Sequence, residues 1–263
     1  MSFVGYGPPI KADVGEGVKF VEAIEALRAS GGDDCPELAF SGILEAVNAG
    51  AQENSPLFVF TDATAKDEDK LEMVKLAVSG KGTSVYFFTT GLCAQDSYEP
   101  YEKLASESCG QVFEIPKRSE ELAKMSKITK GLLRGTSCDA GGRAGFFGRK
   151  KRSGNSEYKL PFDDVIESVI VSVTTQNTGA TIDLNDPLGV PVSLGKTTLV
   201  KGAIFEIDHP RPGMWNLIVS SGAGKHSYVI KTSSKTNVDF DFVFVIPRKR
   251  MSPLPISHPL KGE

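Results

Sequence analysis

The sequence has no run of 18 or more apolar residues, so no segment reads as a helix that spans a bilayer. Cysteine is scarce: Cys35, Cys93, Cys109 and Cys138 are too few and too scattered for a disulfide scaffold, and no CxxC pair marks a zinc site. Histidine is scarcer still. His209, His226 and His258 lie far apart, with no acidic partner at metal-ligand spacing. The chain also lacks a strong charge of either sign: its net charge of −3 excludes a general nucleic-acid binder, which needs a basic surface. No GxSxG elbow supplies a hydrolase nucleophile. No Asn-x-Ser/Thr sequon reports on the compartment, and the opening stretch MSFVGYGPPIKADVGEG has neither the basic start nor the apolar core of a signal peptide. Two Gly-Lys stretches fail as phosphate loops. Gly195-Lys196-Thr197 has Val190 where the first glycine belongs, and Gly224-Lys225 is followed by His226.

What remains is a chain of 263 residues with two textures. Up to about residue 134, helical and strand patterns alternate. The spacing of Val18, Phe20, Val21, Ile24 and Leu27 predicts a helix over 17–30, and Pro36 and Glu37 suit the first turn of a second helix running through Val47. Short apolar runs at Leu57 to Thr61, Val85 to Thr90 and Gln111 to Ile115 read as buried strands, with helices around residues 71–78, 101–108 and 120–133. Strand–helix alternation of this kind predicts an α/β unit with a parallel sheet, whose ligands sit beyond the carboxyl ends of the strands. Asp62 follows its strand directly and falls on that rim.

Residues 135–158 are rich in Gly, Ser and charge and read as a linker. Beyond them the period becomes two. Val169, Val171 and Val173, then Trp215, Leu217 and Val219, then Val238 to Ile246 alternate, separated by turn signals such as Asn185-Asp186-Pro187-Leu188-Gly189. This second unit, 159–247, is expected to be an all-β antiparallel sandwich with Trp215 in its core, followed by a tail over 248–263.

Several stretches resemble one family: GGDDCPE at Gly31 to Glu37, FVFTDA at Phe58 to Ala63, TTG-x-C at Thr89 to Cys93 and YEKLASESCGQVFEI at Tyr101 to Ile115. Together they look like the von Willebrand factor A domain of hemicentins. LPFDDVIESVIVSV, DLNDPLG and the PGMW of Pro212 to Trp215 resemble the galactose-binding-like β-sandwich that follows it there. The likeness runs through nearly the whole chain in order. It implies a secreted, non-enzymatic extracellular matrix or cell-adhesion protein whose partners are matrix or cell-surface proteins. Against the family pattern the DxSxS-bearing first part of the A domain is missing before Gly31, so residues 1–134 are expected to be a partial A domain. The ending SHPLKGE resembles the lead into a further module. A partial sheet is expected to leave apolar surface exposed and solubility poor.

The resemblance gives Asp62 a role as one oxygen donor to a divalent cation, Mg²⁺ or Ca²⁺, with Asp34 where that site usually has a threonine. Without the DxSxS donors this is an incomplete adhesion-type site. The residues alone allow a plainer reading, in which Asp62 caps a short turn and Asp34 the N-terminus of the helix at Pro36. The likeness also favours a Cys35–Cys93 disulfide over two free thiols, and leaves Cys109 and Cys138 unassigned. Arg149, Lys150, Lys151 and Arg152 form a basic patch that reads as a solvated spacer, with binding of sulfated glycan, a nuclear localisation signal or a dibasic processing site as alternatives. A hydrolase or phosphotransfer enzyme using Asp62 is the competing class of function. It needs a base, a nucleophile or a full metal shell beside that residue.

Overall fold

All six residues of Ser84–Thr89 are buried, which requires cover on both faces of that strand and sets the plan of the molecule. The computed structural model describes residues 2–3, 10–11, 17–26, 28, 36–91, 97–116, 119–134, 148–150, 155–222, 224–234, 244–246 and 254–256. In chain order come a two-residue pair, β1 (Ser2–Phe3) with β2 (Ile10–Lys11), then α1 (Gly17–Glu25) and α2 (Ala39–Asn48). There follow β3 (Pro56–Thr61), a 3-10 turn at Glu68–Lys70, α3 (Leu71–Gly80), β4 (Ser84–Thr89), α4 (Glu99–Glu107), β5 (Gln111–Glu114) and α5 (Ser119–Arg134). The strands β3, β4 and β5 form a parallel sheet in that order, with Phe58 opposite Tyr86 and Phe88 opposite Phe113. Side chains of β4 alternate between its two faces. Val85 and Phe87 meet Phe40, Ile43, Val74, Val78, Tyr101 and Leu104 from α2, α3 and α4, whereas Tyr86 and Phe88 point the other way. The turn into β5 passes so close to β4 that a Cβ on Gly110 would stand 1.7 Å from the Val85 carbonyl oxygen, so only glycine fits there.

The second unit is an antiparallel sandwich. Its strands are β6 (Gly148–Lys150), β7 (Asn155–Phe162), β8 (Ile166–Thr175), β9 (Thr181–Asn185), β10 (Lys196–Leu199), β11 (Gly202–Asp208), β12 (Gly213–Ser220) and β13 (His226–Ser234). One sheet runs β10-β11-β8-β13-β6 and the other β7-β12-β9. Val169, Val171, Val173, Phe205 and Ile230 of the first face Leu184, Trp215, Leu217 and Val219 of the second, which places Trp215 in the core. A separate antiparallel pair joins β14 (Phe244–Ile246) to β15 (Leu254–Ile256).

Three sequence expectations need correction. The stretch 135–158 is not wholly linker, because β6 and the start of β7 lie in it and are hydrogen-bonded into the two sheets. Charge and glycine content hid a short edge strand, a position where Arg and Lys are well tolerated. The tail from 248 contains β15, paired back onto β14. Finally, α1 ends at Glu25, before the stop at Gly31-Gly32, with Leu27 and Ser30 outside the described residues. Exposed apolar surface is found on α1, at Val18, Val21 and Ile24, and on β3, where Phe60 is 57% exposed. The face carrying Tyr86, Phe88 and Phe113 is closed instead by α5 and by the sandwich.

Candidate functional site

At the carboxyl ends of the parallel strands Asp62 is exposed and immediately follows β3. The turn it occupies is fixed by Thr61, whose hydroxyl accepts from the Ala63 N–H at 3.2 Å, and by the Thr90 N–H donating to the Thr61 carbonyl at 3.1 Å. The chain leading into α2 is bound to the same turn: Glu37 N–H donates to the Thr64 carbonyl and Lys66 N–H to the Glu37 carbonyl, both at 2.8 Å. This brings the segment that follows Asp34 against the one that follows Asp62, with Asp34 itself outside the described residues. Tyr98 closes the rim by donating to the Gly91 carbonyl, and Tyr101 donates to the Ala63 carbonyl at 3.1 Å. Burial pushes the Tyr98 phenol up, and the carboxylates of Glu114 and Asp62 add to that, while hydrogen bonds to Thr89 and Gly91 oppose it.

Asp67 offers the rim no further donor. It is 4% exposed, and its carboxylate accepts from Phe40 N–H at 3.1 Å, Ser41 N–H at 2.7 Å and the Ser41 hydroxyl at 2.6 Å. Lys70 Nζ donates to the same Ser41 hydroxyl at 2.6 Å. The N-terminus of α2 is therefore capped from 26 residues away by Asp67, and the helix begins at Ala39 and not at Pro36; Asp34, the cap expected locally, lies outside the described residues. Among the described residues no three His, Cys, Asp or Glu side chains converge to hold a metal. Mg²⁺ demands near-octahedral oxygen donors. The described set does not fit that shell.

Cys109 is disulfide-bonded, and no described cysteine is free. Cys35, Cys93 and Cys138 lie outside the described residues, and the Cys35–Cys93 pairing with them. Such bonds persist in oxidising compartments. Of the basic run, Arg149 and Lys150 are in β6, opposite Ser227 and His226, whereas Lys151 and Arg152 lie outside the described residues.

Two groupings that the sequence did not disclose carry most of the polar geometry. The first is a seam between the units. Tyr86, Phe88 and Phe113 of the parallel sheet, with Ile115, Ile128 and Leu132, pack on Ile170, Leu199 and Ile204, which belong to the outer face of the five-stranded sheet. Gln111, 3% exposed, keys the two together: its Nε2 donates to Thr174 Oγ1 at 3.1 Å, and its Oε1 accepts from the Ser172 hydroxyl at 2.5 Å. Lys201 pairs with Glu114, and Lys124 Nζ donates to the Thr198 carbonyl at 3.0 Å. A Cβ on Gly131 of α5 would stand 3.1 Å from the Glu206 carboxyl carbon, another close approach across the same seam. The signal for this in the sequence is that Ile170 interrupts the alternation of Val169, Val171 and Val173. An uninterrupted apolar run marks a strand buried on both faces.

The second grouping joins the two sheets of the sandwich. His226 Nε2 lies 2.6 Å from the Tyr158 hydroxyl and Nδ1 lies 3.0 Å from Ser221 Oγ. Ser221 donates its proton to the Gly224 carbonyl at 2.9 Å, so it accepts from Nδ1–H, and Tyr158 must donate to Nε2. The imidazole is neutral in this network, and burial lowers its pKa. Ser221 is thereby a hydrogen-bond acceptor for the ring and not a nucleophile activated by it.

Comparisons with known proteins follow the same division. A family described as von Willebrand factor A domain matches residues 5–117, and one described as hemicentin galactose-binding domain-like matches 146–235. Mouse Hemicentin-2 is 28% identical over 234 residues, covering 85% of this chain and 4% of that protein. Mouse and human Hemicentin-1 are each 29% identical over 239 residues, covering 84% of this chain and 4% of theirs. The chain thus spans about 4% of the length of these relatives. A solved von Willebrand factor type A structure from Catenulispora acidiphila aligns with 12% identity and a TM-score of 0.37, covering 88% of this chain and 50% of that one, too loose a likeness to argue from.

Proposed function

Because the chain is hemicentin-like, carrying a von Willebrand factor A domain followed by a hemicentin galactose-binding-like domain, we propose that it acts as a secreted, non-enzymatic unit of extracellular matrix and cell adhesion. Its partners are matrix or cell-surface proteins. The observation that carries this reading is the seam, where Tyr86, Phe88 and Phe113 are buried against Ile170, Leu199 and Ile204. A seam of that kind makes one stiff body of the two domains, and a stiff body binds a large partner without first ordering itself. We assign the A module to residues 1–134 and begin the sandwich at Gly148, where β6 joins its sheet. The Cys109 disulfide supports an oxidising, secreted setting. Asp62 and Asp34 would be two oxygen donors towards a cation at the rim, and protein contact there does not depend on filling it. Sulfated glycan at Arg149 to Arg152 is a secondary partner.

The test is retention of the secreted, purified chain on matrix laid down by cultured cells. The reading predicts saturable retention that unlabelled chain competes away and that heparinase leaves intact. Retention lost to heparinase would move the contact to glycan. Absent retention, with turnover of an ester or phosphoester that Asp62→Asn abolishes, would establish the enzyme instead.

A further inference from the structure

Lys231 lies inside the seam, 5% exposed, with its ammonium 4.9 Å from the centroid of the Tyr86 ring. Its lateral row across the sheet runs Lys231, Ile170, Glu206. Ile170 separates the lysine from Glu206, whose carboxylate lies against Gly131 of α5. On the A module, Glu114 is engaged by Lys201 and Glu121 by Lys124. The Tyr86 hydroxyl is buried beside Ser84, neither making a well-aligned hydrogen bond, and burial raises that phenol far above its ordinary range. On its own sheet the same-face neighbours are Val229 and Ser233 along β13 and Ser168 and Ser172 on either side of Ile170; Ser168 and Ser233 are bonded to each other at 2.8 Å and Ser172 donates to Gln111. No described carboxylate pairs with Lys231, and burial lowers its proton affinity.

We propose that Lys231 is a proton-controlled latch on the seam: closing the two domains strips its amine of water against Tyr86, so gain of a proton loosens the contact and bares the outer face of the sandwich. The Tyr86 ring offsets part of the desolvation through its quadrupole, which is why an amine is tolerated there at all. This inference rests on the seam and is independent of what the protein binds.

Burial pulls the Lys231 pKa from 10.5 down to about 8. The closed form binds the proton less tightly than the open form, so closure is favoured most above pH 10.5, weakens as pH falls towards about 8, and is constant below that. Between pH 9.5 and pH 7 the open-to-closed ratio should rise about 25-fold.

Two readouts test the latch in the full chain. The first is competitive acylation of lysines between pH 6.5 and 10.5 read by mass spectrometry. The second is energy transfer between fluorophores on unnatural residues at the exposed positions Glu72 and Leu188, in urea that populates the open form. The wild type should give Lys231 a depressed titration and a seam that opens as pH falls from 9.5 to 7. Lys231→Met should stay closed at both values, and the permanently charged Lys231→Arg should open at both. An ordinary lysine titration, a pH-independent seam in the wild type, or a Lys231→Met variant that opens like the wild type would overturn the proposal. Should Lys231→Met fail to fold, the wild-type titration and Lys231→Arg decide it. The matrix assay can succeed or fail without altering either readout.

Discussion

Replacing Asp67 with Ala removes the acceptor for two backbone N–H groups, Phe40 and Ser41, and for the Ser41 hydroxyl. The Phe40 bond is buried and the Ser41 bonds are part-buried, so water replaces the lost acceptor poorly. Leaving a buried donor unpaired costs about 1–3 kcal/mol, and loss of a carboxylate at a helix N-terminus adds about 0.3–1 kcal/mol. With the Ser41 bond partly rehydrated, the sum is about 3 kcal/mol. For a cooperative unit of 150–250 residues this lowers Tm by about 6–12 °C. Asp67→Asn keeps one carbonyl acceptor for a backbone N–H and should lose about half as much. Thermal unfolding by circular dichroism measures both. A Tm within about 2 °C of wild type for Asp67→Ala would show that the remote cap contributes little, and equal losses for the two variants would refute the role given to the retained acceptor.

Three further outcomes follow from buried groups. Phe113→Ala empties the seam beside Phe88, its stacking partner at 5.1 Å, and should cost about 3–5 kcal/mol in urea unfolding; a loss below about 1 kcal/mol would place the seam outside the stable fold. Reducing the Cys109 disulfide should destabilise the chain by about 2–5 kcal/mol, seen as a lower Tm with reductant than without; an unchanged Tm contradicts it. His226 has a folded pKa below its unfolded value, so its network is fully stable above about pH 6.5 and weakens as pH falls through the lowered folded value. The urea midpoint should therefore drop between pH 7.5 and pH 5, and that drop should shrink in His226→Gln; identical pH profiles would refute the role of the imidazole.

Much of the architecture was legible because local signals and tertiary structure agree. The β-branched and aromatic run at Leu57 to Thr61 is strand β3, the apolar spacing over 71–78 is α3, and the alternation through Trp215, Leu217 and Val219 is β12. The position of Asp62 at a strand's carboxyl end could be read from the order of residues alone. What could not be read was made by residues distant in sequence. Asp67 belongs to α2 although it sits beside α3, and nothing in DEDK distinguishes it from a local cap. Gln111 and Lys231 look like ordinary strand positions. Their importance arises only when the outer face of one sheet meets another, an event with no period of its own. The faint trace was continuity: Ile170 among valines and Tyr228-Val229-Ile230 before Lys231 carry apolar residues to both faces of their strands. The short strand β6 was hidden for the opposite reason, because basic residues at a sheet edge look like linker.

Scanning calorimetry of the intact chain tests most directly whether the two domains act as one body. The account predicts a single transition whose calorimetric and van't Hoff enthalpies agree, shifted as a whole by Phe113→Ala. Two separate transitions, with Phe113→Ala moving only one of them, would contradict it.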